Sequence, residues 1–340
     1  MRILIDILHP AHVHFFKHFR TEMLDRGHEV LVTAREKDVA VDLLEELGIP
    51  HEVISTQRSG LFGLAGELAQ RSYRLARIAR RFRPTVLTGI MGVAIAPVGR
   101  MLRIPSVVFY DSEFADRTNR IVYPLASAVC TPDAYQGRVR GNHLTYPGYH
   151  ELAYLHPNRF TARPESLAQF GLSPPFALVR FVSWEASHDL GRSVLGMTAK
   201  RDLITRLLER VPVVVSSESA LPHDLERLRL RGPAGEIHQV LAQAAVVVGD
   251  SGTMVSEAAV LGTPAVLISP MRAGVHDDQI DYGLLARFEP EALHDAWGAI
   301  SGFLDSGPPP GALTRMLVDK TDVTEWMATF FERPIADAGS

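Results

Sequence analysis

The feature of this sequence that most constrains its fold is an alternation of short apolar runs with segments of helical periodicity. Runs such as RILIDIL (2–8), HEVLVTA (28–34) and PSVVFYD (105–111) suit parallel strands buried on both faces. Helical patterns lie between such runs, for example over Val39–Leu47 and Leu64–Phe82. Because successive parallel strands need a crossover connection, the alternation predicts a doubly wound parallel α/β sheet in the N-terminal half.

The same alternation occurs a second time after an interruption. Residues 147–175 are rich in Pro and Gly and predict a connection between domains, after which FALVRFV (176–182) begins a new series. A chain of 340 residues accommodates two such domains. We therefore predict two Rossmann-like domains, at 1–150 and 151–320, with a cleft between them. The helical segment and polar tail at 321–340 are predicted to return to the N-terminal domain.

The composition excludes several classes of protein. The single cysteine, Cys130, excludes an internal disulfide and a cysteine-based zinc site. A formal net charge of −4 gives no reason to expect a nucleic-acid partner. The N-terminal MRILIDILHPAH lacks the features of a signal peptide, and no run approaches the roughly 20 apolar residues of a membrane-spanning helix. We expect a cytoplasmic protein, with a peripheral position at the inner face of the membrane left open.

The stretch GDSGTMVSEAAVLG (249–262) carries the strongest local signal for a ligand. It places small residues between a predicted strand and a helix whose first N–H groups lack internal partners. Gly252 lets the backbone approach a phosphate, and Ser251 and Thr253 add hydroxyl donors. Glu257 lies one helical turn later on the same face, where ribose hydroxyls are suitable donors to it. The alternative is a capped helix with a surface glutamate.

The longer segment LAQAAVVVGDSGTMVSEAAVLGTPAVLI (241–268) resembles the C-terminal half of the GT-B superfamily. It is especially similar to the non-hydrolysing UDP-N-acetylglucosamine 2-epimerases. The resemblance implies that Ser251, Gly252 and Thr253 bind the phosphates of a nucleotide and that Glu257 binds its ribose. We therefore expect the two predicted domains to form a GT-B fold.

Two neighbouring motifs extend the resemblance within the C-terminal half. GEIHQVL (235–241) stands where these families place the backbone that recognises the base, which implies roles for Ile237 and His238. HDDQIDYG (276–283) resembles the region of MurG-type glycosyltransferases that faces the sugar, which implies that Asp278 and Gln279 contact it.

The N-terminal half shows a matching resemblance. DSEFADRTNRIVYPLASAVCTP (111–132) is similar to an epimerase stretch rich in carboxylates. This implies that Glu113 and Asp116 approach the donor sugar and that Asn119 and Arg120 shape the cleft. Together with HPAHVHFFK, RFVSWEASHD and GDSGTMVSEAAVLG, the pattern most resembles an uncharacterised family of bacterial and archaeal GT-B-like proteins.

The sequence departs from the epimerases at two catalytic motifs. Their His-Gly-Asp turn after the fourth strand is replaced by TGIMG, which puts Met91 or its neighbours where an acid is expected. Their His-Arg-Arg motif is replaced by RFVSWEASHD. Epimerisation at C2 needs acid and base groups on both faces of the sugar, whereas glycosyl transfer needs one base and donors for the departing diphosphate. The departures therefore favour glycosyl transfer.

Polar residues at the ends of predicted N-terminal strands supply candidates for the base. His9 and His12 follow the first strand, where the edge of a doubly wound sheet binds ligands. We interpret His12 as the base, or as a contact to the sugar or to a phosphate. We interpret His9 as a contact to the sugar or to the acceptor. The alternative for such a histidine is helix capping or a half-buried structural position. Asp111 begins the carboxylate cluster with Glu113 and Asp116, which could instead be a solvated loop.

Three residues near strand ends of the C-terminal half are candidates for binding the diphosphate. Arg180 lies in an apolar strand, so it either pairs with an acid or reaches a phosphate. His188 follows in the next loop, where helix capping is the alternative role. Ser217 ends another strand near the expected nucleotide, although an ordinary strand-to-helix turn also explains it.

The helix over Arg71–Arg83 carries arginines on one face and apolar residues on another. A solvated face is the simpler interpretation, and docking to anionic lipid headgroups is the alternative. His14 and His18 have metal-ligand spacing, but no acidic third ligand lies in the motif. The resemblance to GT-B enzymes, which characteristically work without a bound metal, implies that none is needed here.

These patterns together predict a metal-independent glycosyltransferase that uses a nucleotide-diphosphate sugar and no cofactor. The resemblance favours a UDP-sugar donor, a saccharide or lipid-linked acceptor and a place in surface polysaccharide or glycoconjugate assembly. The alternatives are an enzyme like the nucleotide-sugar 2-epimerases and a non-catalytic nucleotide-sugar-binding protein. A homodimer of the epimerase type is a further hypothesis.

Overall fold

The computed structural model describes residues 1–36, 39–57, 60–113, 116–182, 195–217 and 220–333, with the backbone alone described at 61 and 116–118. The chain forms two compact units, called unit 1 and unit 2 below. Unit 1 consists of Met1–Arg159 and Lys320–Ser340, and unit 2 of Phe160–Asp319. The units therefore divide after residue 159 rather than after residue 150.

Unit 1 contains a seven-stranded sheet in which the described strands pair in parallel, in the order β3-β2-β1-β4-β5-β6-β7. Its strands are β1 (Arg2–Ile7), β2 (Glu29–Glu36), β3 (His51–Thr56), β4 (Val86–Ile90), β5 (Ser106–Phe109), β6 (Ala128–Pro132) and β7 (His143–Tyr146). Its helices are α1 (Pro10–Asp25), α2 (Ala40–Glu46), α3 (Leu61–Phe82), α4 (Ile95–Leu102), α5 (Asp116–Val122) and α12 (Val323–Phe331).

The elements of unit 1 follow from local sequence. Five of the six residues of β1 are buried, as its apolar run predicts, and α1 starts with Pro10, whose fixed φ suits the first turn. Gly27, with φ of 81°, ends the α1 segment in a conformation that glycine adopts at little cost. The strand order reverses between β1 and β4, and ligands bind beyond the carboxyl ends of strands at such a point.

Unit 2 contains a five-stranded sheet whose described strands also pair in parallel, in the order β12-β11-β10-β8-β9. Its strands are β8 (Ala177–Arg180), β9 (Val213–Ser216), β10 (Val246–Gly249), β11 (Ala265–Ile268) and β12 (Leu285–Phe288). Its helices are α6 (Met197–Leu208), α7 (Ile237–Leu241), α8 (Gly252–Val260), α9 (Gly274–Asp281), α10 (Leu293–Ser306) and α11 (Ala312–Asp319).

The core of unit 2 forms where α6 and α10 pack on the sheet. Leu203, Leu207 and Ile300 are buried against the valines of β8–β11. The order reverses between β8 and β10, so the turn after β10 lies at the ligand-binding edge of this sheet. Two parallel α/β units in succession confirm the predicted fold class.

Candidate functional site

The predicted phosphate turn connects β10 to α8. Ser251 is the residue before α8, and its side chain makes no capping hydrogen bond to the helix. Gly252 is the first helical residue, and the side chain of Thr253 is exposed. Helix capping therefore does not explain the serine at position 251. The side chain of Ser251 leaves the first N–H groups of α8 uncapped. Such a helix start suits an anion because backbone N–H groups and the helix dipole both favour negative charge.

His276 on α9 packs directly against the start of α8. Its Nε2 atom is 3.2 Å from the carbonyl oxygen of Gly252, to which it donates a hydrogen bond. A Cβ atom added at Gly252 would lie 2.9 Å from Cε1 of His276. A side chain at this position would crowd His276, and the approach of a ligand to Gly252 stays a prediction. The HDDQ motif contained His276, but sequence reasoning assigned it no role.

Asp250 ties the turn to the neighbouring strand. Its N–H donates to the carbonyl oxygen of Arg180, and its Oδ1 accepts a 2.7 Å hydrogen bond from Val182 N–H. Burial raises the pKa of Asp250, while the Val182 N–H and the charges of Lys200 and Arg180 act in the opposite direction. A Cβ at Gly249 would lie 1.8 Å from the Arg180 oxygen, so β8 and β10 approach closely just before the turn. These contacts hold the turn in a fixed position.

Glu257 on α8 and His238 on α7 form one buried pair. Nε2 of His238 is 3.1 Å from Oε1 of Glu257, and the two side chains are 4% and 8% exposed. Phe160 lies edge-on to the His238 ring. The alternative of a surface glutamate is therefore wrong. The structure brings together the residues predicted for the ribose and for the base side of the nucleotide.

Gln279 is fully buried, and its Nε2 donates a 2.7 Å hydrogen bond to Oγ of Ser256. This bond joins α9 to α8, so Gln279 helps to position α8. The contact of Gln279 with a sugar stays a prediction. Asp278, beside it, is half-buried.

The other predicted residues of unit 2 lie around the same edge. Arg180 ends β8 and is half-buried, and Ile237 is the first residue of α7. The carbonyl oxygen of Ser217, directly after β9, accepts a hydrogen bond from Arg229. His188 lies outside the described residues. Their binding roles stay predictions.

In unit 1, Asp111 pairs with a residue that sequence reasoning missed. Nδ1 of His150, in the 3-10 turn His150–Ala153, is 3.0 Å from Oδ2 of Asp111. The hydroxyl of Ser112 donates to Oδ1 at 2.9 Å. Burial alone would raise the pKa of Asp111, but the adjoining His150 and the Ser112 hydroxyl lower it to about 2. Asp111 is therefore an ionised carboxylate at neutral pH.

His12 is buried at the start of α1. Its Nδ1 accepts a hydrogen bond from Leu8 N–H at 3.3 Å. Burial holds the pKa of His12 well below its ordinary value, and the neighbouring His9 and His150 lower it further. His9 is the residue before α1 and caps it, because its Nδ1 accepts from Ala11 N–H. Capping thus accounts for the position of His9, whereas its contact with an acceptor stays a prediction.

The remaining candidates of unit 1 lie beyond β5. Oε1 of Glu113 accepts a 3.1 Å hydrogen bond from Gln136 N–H. Asp116 begins α5, but its side chain is outside the described part of the structure. Asn119 is buried, and among the described residues its Oδ1 has no hydrogen-bond partner; Arg120 is exposed.

The prediction of a solvated arginine face on α3 is wrong for Arg71. This residue is 2% exposed, and its guanidinium is 2.7 Å from the carboxylate of Asp6 at the end of β1. Thr33 on β2 donates a second hydrogen bond to the same carboxylate. Arg71 is buried because an acid on the adjacent strand neutralises it.

The described residues contain no group of three or more His, Cys, Asp or Glu side chains placed to hold a metal ion. None of the helices in the described part of the chain is long and apolar enough to cross a membrane. The expectation that no metal is needed stays a prediction.

The two parallel-sheet α/β units, together with structural matches over nearly the whole chain to a UDP-GlcNAc 2-epimerase and to MurG, place the protein in the GT-B fold class. Residues 1–148 match the family model described as "Protein of unknown function (DUF354)". An uncharacterized protein of Methanocaldococcus jannaschii is 22% identical over 290 residues, which cover 79% of this chain and 82% of that protein. These matches confirm the predicted resemblance to an uncharacterised family.

Proteins named for an activity are similar over a shorter stretch of sequence or in fold. The UDP-N-acetylglucosamine–N-acetylmuramyl-(pentapeptide) pyrophosphoryl-undecaprenol N-acetylglucosamine transferase of Stutzerimonas stutzeri is 28% identical over 144 residues, covering 38% of this chain and 40% of that protein. The UDP-GlcNAc 2-epimerase of M. jannaschii matches with a TM-score of 0.70 and 12% identity, covering 98% and 99% of the two chains. MurG of Acinetobacter baumannii matches with a TM-score of 0.57 and 15% identity, covering 98% and 99%. The structural matches establish similarity of fold.

Proposed function

We propose that this protein is a metal-independent glycosyltransferase whose donor is a nucleotide-diphosphate sugar, with a UDP-sugar favoured. The observation that carries the proposal is the turn after β10, where the uncapped start of α8 is followed along the same helix by the buried Glu257, which is paired with His238. The first feature suits a diphosphate and the second suits the ribose of the same nucleotide. The sequence relation to an N-acetylglucosamine transferase, named for UDP-N-acetylglucosamine, supports the same donor class.

In this proposal unit 2 binds the donor and stabilises the leaving group. As the bond between the anomeric carbon and the diphosphate oxygen breaks, negative charge grows on the diphosphate. The dipole and N–H groups of α8, together with the hydroxyls of Ser251 and Thr253, are suited to stabilise that charge. His238 holds the Glu257 carboxylate through Oε1, and a ribose hydroxyl would donate a hydrogen bond to this carboxylate.

An enzyme like the 2-epimerases is the second candidate, favoured by the structural match at a TM-score of 0.70. The turn after β4 argues against it. Met91, with φ of 68°, follows β4 there, and the resemblance implies that Met91 or its neighbours replace a catalytic acid. A protein that binds nucleotide sugars without turnover is the third candidate.

Product analysis separates the three candidates. Incubation with UDP-N-acetylglucosamine, with and without a panel of saccharide and polyprenyl-diphosphate acceptors, is followed by proton NMR. Release of UDP with a new glycosidic signal supports transfer, and a C2 epimer supports epimerisation. Binding with neither product across the panel supports the third candidate and contradicts the proposal.

The proposal includes a lipid-linked acceptor that is reached at an anionic membrane surface through α3. Phe62 and Tyr73 are 96% and 63% exposed, and Arg77 and Arg80 are exposed on the same side of the helix. The acid in α3, Glu67, is buried and bonded to Arg35. An outward face with aromatic and basic residues suits anionic headgroups.

Vesicle sedimentation tests the membrane contact. The wild type should bind vesicles that contain phosphatidylglycerol and not vesicles of phosphatidylcholine alone, and Arg77→Glu/Arg80→Glu should abolish binding. The matched control is Arg138→Glu/Arg140→Glu, which reverses two exposed charges elsewhere in unit 1. Equal loss in both double variants would reduce the contact to a general charge effect and contradict a role for α3.

A further inference from the structure

The site in unit 1 contains several groups that could receive the acceptor hydroxyl, and their hydrogen bonds distinguish them. His12 is poorly suited to take a proton. Because its Nδ1 accepts from Leu8 N–H, the proton of the neutral ring lies on Nε2, which can donate but cannot accept.

Asp111 is held in one orientation from both sides. His150 donates to Oδ2 and Ser112 donates to Oδ1, so each oxygen keeps a lone pair while the carboxylate cannot rotate freely. The Asp111 side chain is 30% exposed, whereas that of His150 is 9% exposed. Asp111 is therefore the more accessible member of the pair, and His150 is the buried one.

The packing around His150 fixes which nitrogen carries the proton. The ring centroid of Phe15 is 4.4 Å from that of His150, and Tyr146 stacks on the ring at 6.4 Å. Nε2 of His150 is buried, and no described residue offers it a hydrogen bond. An unsatisfied N–H is costly in such surroundings, so the neutral ring places its proton on Nδ1, towards Asp111. The aromatic neighbours thus make His150 a fixed donor.

We propose that Asp111 is the carboxylate that orients and deprotonates the acceptor hydroxyl, and that His150 is its positioning residue. This inference rests on the proposed glycosyl transfer and names the residues that act in unit 1. His150 acts through Asp111, in the way that a buried partner orients a catalytic group in other sites.

The step balances with Asp111 alone as the proton acceptor. The hydroxyl of a saccharide or polyprenyl-linked acceptor donates a hydrogen bond to Asp111, which leaves an oxygen lone pair free to attack the anomeric carbon. As the new C–O bond forms, the hydroxyl proton passes to Asp111. The electron pair of the old C–O bond departs with the nucleoside diphosphate. A weak base suffices because the hydroxyl becomes strongly acidic as its oxygen bonds to carbon.

A measurement without substrate tests the positioning role. In protein labelled with ¹³C at the aspartate carboxyls, Asp111 should remain ionised at pH 4 in the wild type. In His150→Phe, which keeps ring volume but removes the donor, Asp111 should be at least half protonated at that pH. His150→Gln, which retains an N–H donor but carries no charge, should restore part of the ionisation and provides a second variant if His150→Phe does not fold.

His14→Phe is the matched control. It removes another buried imidazole of unit 1, stacked on Tyr154, and should leave Asp111 ionised. Ionised Asp111 in folded His150→Phe would overturn the positioning role, because a merely structural histidine would change stability alone.

Turnover supplies the second readout. With UDP-N-acetylglucosamine and an acceptor that supports transfer, Asp111→Asn should lower kcat at least 100-fold. His150→Phe should lower kcat with little change in KM for the donor. Unchanged kcat in Asp111→Asn would overturn the role of that residue as base. If the wild type transfers no sugar to any acceptor, the proposed function fails, whereas the carboxyl titration still decides the Asp111–His150 link.

Discussion

Replacement of Arg71 by alanine should destabilise unit 1 far more than replacement of an exposed arginine on the same helix. The Arg71 and Asp6 side chains are 2% and 3% exposed and 2.7 Å apart. Without Arg71, Asp6 keeps the Thr33 hydrogen bond but becomes a buried charge without a cation. Breaking such a pair costs about 3–5 kcal/mol in the free energy of unfolding. Arg77→Ala, at an exposed position, should cost no more than about 0.5 kcal/mol.

Urea unfolding followed through one tryptophan measures this difference in unit 1. Trp326 lies in α12 of unit 1 and contacts Tyr146 and Phe330, whereas Trp184 and Trp297 belong to the segment 160–319. A background with both of these changed to Phe leaves Trp326 as the reporter. The variants are compared where the dependence of the unfolding free energy on urea concentration has the same slope. A shift in the midpoint urea concentration then reports a change in stability.

A double variant separates loss of the pair from loss of packing. Asp6→Asn/Arg71→Met removes both charges while keeping much of the side-chain volume, so it should cost clearly less than Arg71→Ala. If the free energies of unfolding of Arg71→Ala and Arg77→Ala agree within about 0.5 kcal/mol, then Arg71 behaves as a surface residue. That result would contradict the stabilisation of unit 1 by a buried pair of Arg71 and Asp6.

Three further predictions concern the turn, an acid-sensitive histidine and the cysteine. Gly252→Ala crowds His276 and should weaken nucleotide binding at least tenfold by calorimetry; Gly298→Ala, where an added Cβ meets no atom within 4 Å, should not. Burial, with the charges of Lys17 and Arg159, lowers the pKa of His18 from 6.5 to about 4. The unfolded chain therefore binds that proton at higher pH, so stability should fall as the pH drops from 6.5 towards 4, and less steeply in His18→Gln. Burial raises the pKa of the Cys130 thiol, so a disulfide reagent should label it much faster in urea than in the native state; equal rates would contradict its burial.

The fold could be predicted because local runs of apolar residues predict several of its strands. Runs of Val, Ile and Leu mark β1, β5, β8 and β10 directly, since a parallel strand covered on both faces has few polar residues. The segments that form α9, β12 and α10 were not predicted as elements. The four residues of β12, LARF, include a charged side chain that bonds to Ser269 at the end of β11, so this strand lacks the apolar signature.

The candidate sites were predictable where one segment contains the whole motif. Ser251, Gly252 and Glu257 lie within seven consecutive residues, and strand, turn and helix together suggest their positions. The pairing of Asp111 with His150 depends on how the chain after β7 packs beside β5. The periodicity of the sequence does not predict this contact. Likewise, the helical pattern of α3 predicts Arg71 on the same face as exposed arginines. Arg71 is buried instead because it pairs with Asp6 on β1, a contact that the pattern of α3 alone does not predict.

Nucleotide binding by unit 2 is the central claim, and a thermal-shift screen of nucleoside diphosphates and nucleotide sugars tests it most directly. The screen compares the wild type with Glu257→Ala and with Glu165→Ala, a control that removes an exposed carboxylate of the same unit. A ligand at 100 times its Kd adds about 2.7 kcal/mol of stability. A uridine diphosphate ligand should stabilise the wild type and Glu165→Ala, and the shift should be much smaller in Glu257→Ala. No shift with any nucleotide, or an equal shift in all three proteins, would contradict the nucleotide site at the turn after β10.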